Sequence, residues 1–275
     1  MNKLLISAAV AAISTGAFAE DYRFEIKADY LADEVNKNID QTTYALGGTF
    51  YLSPVDDHIG PKAEAAFLNK ASEISLGYGR TNIEIDGNSI DPEFGMKVDE
   101  DGDVWAVGGS YVTENGIILE LGYAVNDVDK VIDSELSTVG IGYYLNDTST
   151  VSLNYAYIED DVSDFEEDIW TLGYKSVFND KFGLEIDLSY NDPEIGEEAY
   201  GVVGDLDYYI NDNFSVSGVL GYISSDSDFR EAAVYGVKTE YFFNSMIALD
   251  AGYTVTAPEE GDDNNVWSVG LTARF

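Results

Sequence analysis

The chain of 275 residues has no cysteine, one histidine, five prolines, and only 14 lysines and arginines against 52 aspartates and glutamates. Each scarcity excludes something. Without Cys there are no disulfide staples, no thiolate metal site and no thiol nucleophile. A formal charge of −38 with no basic cluster excludes nucleic-acid binding, because phosphate contacts need grouped Lys and Arg. Beyond the N-terminus no apolar run reaches the roughly 20 residues of a membrane-crossing helix. What is present is hydrophobic and aromatic: 45% of residues are apolar, with 20 Tyr and 13 Phe spread from end to end, which excludes disorder. A soluble acidic protein and a membrane β-barrel both survive these tests.

The first segment points to export. Lys3 precedes an almost wholly apolar stretch from Leu4 to Ile13, and Ala17-Phe18-Ala19 fits an A-x-A cleavage site. Residues 1–19 are expected to be a signal peptide, leaving one domain over 20–275.

Beyond it one period recurs. Tyr22, Phe24, Ile26, Ala28 and Tyr30 alternate with Arg23, Glu25, Lys27 and Asp29. The same period-two pattern, apolar on one face and small or polar on the other, returns at 117–126, 182–190 and 247–255. That is the signature of a strand with one greasy and one wet face. Tight connections at Glu114-Asn115, Asn146-Asp147-Thr148, Asn179-Asp180, Asn211-Asp212 and Asn244-Ser245 suit two-residue hairpins, since Asn and Asp tolerate positive φ. Between them lie longer, acid-rich gaps. Short turns at one end and longer loops at the other are what an outer-membrane barrel shows.

The expected fold is therefore all-β: a transmembrane antiparallel up-and-down barrel of about fourteen strands, with twelve to sixteen as bounds. The strands read roughly as 22–31, 40–52, 73–86, 102–113, 116–126, 135–146, 149–159, 165–178, 181–192, 198–210, 213–224, 230–243, 246–256 and 264–275, each long enough to cross the hydrocarbon layer at a tilt. Closure satisfies every backbone group in lipid, which an open sheet cannot do. The stretch 53–72 is read as a long periplasmic turn in which Pro61 to Leu68 has room for one turn of helix. Aromatics fall into two sets. Tyr143, Phe178, Phe182, Tyr208, Phe214, Tyr241 and Phe243 lie near the tight turns, and Tyr30, Trp105, Tyr123, Trp170, Tyr190, Tyr222, Tyr253 and Trp267 lie near the acidic gaps. Two such girdles match the two headgroup levels of a bilayer.

Trp267, Val269, Leu271, Ala273 and Phe275 alternate up to a terminal Phe. The pattern resembles the C-terminal signal read by the barrel-assembly machinery of Gram-negative bacteria, with Trp267, Val269, Leu271 and Phe275 as its residues. Pro61-Lys62-Ala63-Glu64-Ala65-Ala66-Phe67-Leu68, then Ser75-Leu76-Gly77-Tyr78, with the ending Val269-Gly270-Leu271-Thr272-Ala273-Arg274-Phe275, resembles the putative general bacterial porins. The resemblance implies a diffusion channel in the outer membrane and carries no catalytic residue. Unlike trimeric porins, the chain is expected to have no long loop that folds inward as a constriction.

If the apolar face meets lipid, Arg23, Glu25, Lys27, Asp29, Glu120, Lys175, Glu185, Asp187, Asp205, Asp207, Lys238, Glu240, Asp250 and Arg274 point inward. Glu185, Asp187, Asp205 and Asp207 would share one patch, with no Arg nearby in sequence, and ionised carboxylates there need water. Two interiors follow. One is a wet, net-negative bore that favours cations; in the other these carboxylates pair with Arg23, Lys27, Lys175 and Lys238 and close it.

Other chemistry is thin. Val98-Asp99-Glu100-Asp101-Gly102-Asp103 suggests a calcium loop, but EF-hand spacing puts Lys97 first and Gly108 at the bidentate position, so it fails and reads as a solvated acidic loop. Hydrolases of this membrane use a histidine base. The single His58 lies in the 53–72 turn beside Asp57 and reads as an exposed turn residue, not a triad member. No enzyme activity, no cofactor and no metal site is expected. The expected partners are outer-membrane lipid and lipopolysaccharide, the assembly machinery, small solutes and cations. Monomer and trimer are both compatible, because an association face and a lipid-facing one share the same composition.

Overall fold

A computed structural model describes residues 21–36, 39–85, 98–128, 132–160, 165–194, 196–225, 231–259 and 261–275. The expected signal segment and the tips of several acid-rich gaps lie outside them. Fourteen strands form: β1 (Asp21–Asn36), β2 (Ile39–Asp56), β3 (Glu73–Ile85), β4 (Val98–Val112), β5 (Ile117–Val128), β6 (Ile132–Asn146), β7 (Ser149–Asp160), β8 (Phe165–Phe178), β9 (Phe182–Pro193), β10 (Ala199–Asn211), β11 (Phe214–Ser225), β12 (Ala232–Phe242), β13 (Ile247–Pro258) and β14 (Asn264–Arg274). Each pairs antiparallel with its neighbours in sequence, and β1 closes on β14. The expected up-and-down barrel is the observed one.

The alternation sorts side chains between outside and inside. Leu76, Leu121 and Leu220 point outward and are 64%, 68% and 72% exposed. A water-soluble fold would bury them; a barrel wall facing lipid presents them. The two aromatic sets form rows. Phe178, Phe182 and Tyr208 touch in series at 5.5 and 5.4 Å between ring centroids, and Tyr78–Trp105, Tyr190–Tyr200 and Tyr253–Trp267 pair at 4.6, 5.1 and 4.3 Å near the other end.

Strands outlast the greasy pattern at the acid-rich end. β1 runs to Asn36, and β4 begins at Val98, so the stretch read as a solvated loop over 98–103 starts a strand, with Asp101 2.6 Å from Arg80. Backbone pairing continues past the hydrocarbon layer, where both faces can be polar, and an apolar count stops too early. Four of the five tight turns use two devices, while at Glu114-Asn115 the positive φ, 80°, falls on the following Gly116. Asn179 and Asp180 adopt φ of 57° and 51°, as a type I′ hairpin requires. Asn146, Asn211 and Asn244 instead accept the backbone N–H two residues on, at 2.8, 2.9 and 2.8 Å, the side-chain mimic of a turn.

Between β2 and β3, a 3-10 turn over Lys62–Glu64 runs into a single helical turn, α1 (Ala65–Leu68), within the stretch where one turn was expected.

Candidate functional site

The charged residues read from the alternation meet on the inner face. Asp205 sits directly opposite Glu185, and Glu240 opposite Asp250. Lys27 Nζ lies 3.2 Å from Asp29 and 3.3 Å from Asp250. Gly270 makes that clamp possible: a Cβ there would fall 2.3 Å from Asp250 Oδ1 and 2.6 Å from Asp29 Oδ1. Lys238 pairs with Asp205, and Ser217 donates to Asp207. Lys175 lies 3.6 Å from Glu185. Asp187 projects toward the gap at Gly173, and Glu120, about half a ring from β12, fills the gap at Gly140 with Asn154.

Arg23 departs from this set. A register shift between Tyr22 and Phe24 interrupts the alternation, turning Tyr22 inward, 5% exposed, and leaving Arg23 exposed at the rim. A bulge adds one residue, so parity read from Phe24 onward does not carry back across it.

The second departure is larger. The expectation of no inward-folding loop fails at the turn joining β2 to β3. Ala65 packs on Tyr22, Tyr51 and Val55 of β1 and β2. The backbone N–H of Lys62 donates to Asp212 O at 2.9 Å, and its Nζ to Asn213 at 2.6 Å, in the β10–β11 turn. Arg274 of β14 donates to Lys62 O at 2.9 Å. Glu64 accepts the Tyr209 hydroxyl of β10 at 2.8 Å and lies 3.1 Å from Lys175 of β8. Phe67 stacks on Tyr144 of β6 at 5.5 Å, and Lys70 reaches Asp147 in the β6–β7 turn at 2.8 Å. A segment that touches strands all round the ring must cross the bore. It does so at the short-turn end, which is why looking for a constriction among the long gaps misses it.

The sequence does carry a signal for this seat: four aromatic dyads at the short-turn end, Phe50-Tyr51, Tyr143-Tyr144, Tyr208-Tyr209 and Phe242-Phe243. In a strand, neighbours point to opposite faces, so each dyad sends one ring to the girdle and one inside. The inner rings, Tyr51, Tyr144, Tyr209 and Phe242, are all buried. Three meet the crossing segment directly. Phe242 meets it through Arg274, whose guanidinium lies 4.6 Å from that ring and 4.7 Å from Tyr22 while Nε holds Glu25 at 2.7 Å.

Beside the crossing segment lies a cavity of about 300 Å³, lined by six carboxylates, Glu64, Glu185, Asp205, Asp207, Glu240 and Asp250, and two lysines, Lys27 and Lys238. The wall over β2–β6 is different. There Gly47, Ser75, Gly77, Ala106, Gly108 and Gly122, with Thr49, Leu136 and Thr138 among the larger residues, line a cavity of about 340 Å³ that no charged side chain borders.

The sequence profile of the putative general bacterial porin family matches residues 1–182. The chain belongs to this family. Among solved structures it is similar to the outer membrane protein Omp33 of Acinetobacter baumannii, with a TM-score of 0.60 and 20% identity over 93% of this chain and 99% of that one. The toluene transporter TodX of Pseudomonas putida follows at 0.56 and 10%, over 95% and 90%. The KdgM porin, solved with disordered oligogalacturonate, gives 0.50 and 11%, over 90% and 99%. At such identities the likeness is one of fold. No curated protein matches the chain. Family and fold together make this porin a β-barrel of the bacterial outer membrane.

The C-terminal strand has its apolar residues on the outer face: Trp267 and Val269 are exposed, and Leu271 pairs with Leu249 and Ala28. Phe275 exchanges backbone hydrogen bonds with Phe24 at 2.8 and 3.0 Å, and its carbonyl also accepts from Arg23 N–H at 2.7 Å.

Proposed function

We propose that this porin is a passive diffusion channel for small hydrophilic solutes with a preference for cations, lined by the inner-face charges of β1, β5, β8–β10, β12 and β13. One observation carries the reading: six carboxylates against two lysines around the cavity beside the crossing segment. Fixed negative charge focused in a narrow bore attracts counter-ions and repels anions. The tight-turn end, with the crossing segment, faces the periplasm by the general rule for such barrels. Trp267, Val269, Leu271 and Phe275 serve in this reading as the signal to the assembly machinery, and the outer face meets lipid and lipopolysaccharide. Catalysis has no part in it.

A second reading, a surface barrel without an open pore, is favoured by the crossing segment itself and by the pairing of Lys27, Lys175 and Lys238 with inner carboxylates. Planar-bilayer recording in a potassium chloride gradient separates the two. The channel reading expects discrete steps and a reversal potential drawn toward that of potassium. Reversal toward chloride overturns the cation preference. Silence from both the wild type and a variant lacking residues 62–69 overturns the channel.

A further inference from the structure

The last residue of β2 and the two that follow it carry chemistry that a pore does not use. Asp56, Asp57 and His58 present two carboxylates and an imidazole nitrogen, all within 4.8 Å of one another. His58 Nδ1 lies 2.9 Å from Asp57 Oδ1 and 3.3 Å from Asp56 Oδ1. The decisive member is Asp57. Its side chain is 1% exposed, and apart from the His58 ring beside it neither carboxylate oxygen has a partner among the described residues. A buried carboxylate with so little to offset its charge is costly. The group nearest at hand to offset it is the His58 ring.

The frame around these residues is fixed. Asn69, just past α1, accepts the Asp56 N–H at 3.2 Å and donates to Asp56 O at 2.8 Å and Ala65 O at 2.7 Å. The His58 N–H donates to Asp56 Oδ1 at 2.8 Å. The turn is thus bolted to the segment that crosses the bore.

We propose that Asp56, Asp57 and His58 bind one divalent transition-metal ion at the short-turn end of the barrel. Two carboxylates and one imidazole suit zinc-class ions, whose metal–donor distances of about 2.0–2.2 Å set tetrahedral donors about 3.4 Å apart. The two separations from His58 Nδ1, 2.9 and 3.3 Å, lie just below that value, and all three donors fall within 4.8 Å of one another. Calcium and magnesium are disfavoured, since both prefer all-oxygen donor sets and gain little from an imidazole nitrogen. The ion would supply the charge that Asp57 lacks and would tie the start of the crossing segment to β2, whether or not the barrel conducts.

Copper(II) is the probe of choice, because His58 is the chain's sole histidine and any imidazole coupling in an electron paramagnetic resonance spectrum must come from it. Untagged full-length protein in detergent should bind one equivalent of Cu²⁺ with a single-imidazole signature, displaced by excess Zn²⁺. His58→Ala should abolish that signature, and Asp57→Asn should weaken binding at least tenfold. Should Asp57→Asn fail to fold, a variant at the half-exposed Asp56, Asp56→Asn, takes its place and should weaken binding at least threefold. Two results would overturn the proposal. One is a first equivalent bound without imidazole coupling, taken up by the acidic loops. The other is affinity unchanged by loss of the carboxylate, which leaves a lone histidine as the ligand.

Discussion

Glu64 is where the crossing segment can be loosened with least harm to the barrel. Its side chain is 8% exposed, with Lys175 at 3.1 Å and the Tyr209 hydroxyl at 2.8 Å. Glu64→Ala removes a charge-assisted hydrogen bond, generally worth about 1.5–3 kcal/mol. Lys175 is one-third exposed and keeps Glu185 at 3.6 Å, so water and a second carboxylate offset part of the loss. A net weakening of about 2 kcal/mol in the seating of the segment is reasonable, and that shifts a two-state equilibrium by roughly thirty-fold. No ladder bond is touched, so the folded band on a gel should persist to the same temperature. Single-channel recording then reads the effect: the fraction of time spent conducting should rise about thirty-fold from a low starting value, or saturate. Glu64→Gln, which keeps an acceptor for Tyr209, should fall between. A folded Glu64→Ala protein with the wild-type open fraction would refute the reasoning, because the segment would then not control passage.

Three further outcomes can be checked. Arg274→Met strands Glu25 and removes a guanidinium lying against two rings; unfolding in urea should show a loss of about 3 kcal/mol, with Arg274→Lys recovering only part, since an ammonium cannot reproduce the planar fork. Leu220→Arg, at an outward position 72% exposed near the middle of β11, should cost about 2–4 kcal/mol in bilayer-coupled folding titrations; no cost would mean this face does not meet lipid. The Lys70 hydrogen bond and charge hold the Asp147 carboxyl below its usual range. The pair's contribution is therefore complete above the ordinary carboxylate pKa of about 3.9 and disappears as pH falls through the lower folded value. Melting curves of wild type and Asp147→Asn should differ slightly at neutral pH and converge in acid.

Much of this molecule was legible in its residues, and the failures have physical causes. Period two works because lipid outside and water inside impose opposite demands on alternate side chains, so strand number and the meeting of Glu185 with Asp205 follow from counting. Counting breaks at Arg23, where a bulge shifts parity, and at 98–103, where pairing continues beyond the lipid that enforces the pattern. The crossing segment escapes for a different reason. Lys62, Glu64 and Lys70 find partners some 77 to 151 residues away at Asp147, Lys175, Tyr209 and Asn213, and no local pattern records that. The paired aromatics recorded it indirectly, since a ring turned inward needs something to pack on.

The unlikeness of the two inner walls has a consequence for anything passing between them. Carboxylates with a minority of lysines crowd β9–β13 and β1, while the cavity over β2–β6 is lined by uncharged, mostly small residues. Such lopsidedness sets up an electric field running sideways, at right angles to the direction of travel. A solute carrying separated charges would be swung crosswise like a compass needle, its cationic end toward the acids, and would advance in one orientation instead of tumbling. Molecules of equal bulk would then be told apart by how their charge is distributed, not by girth.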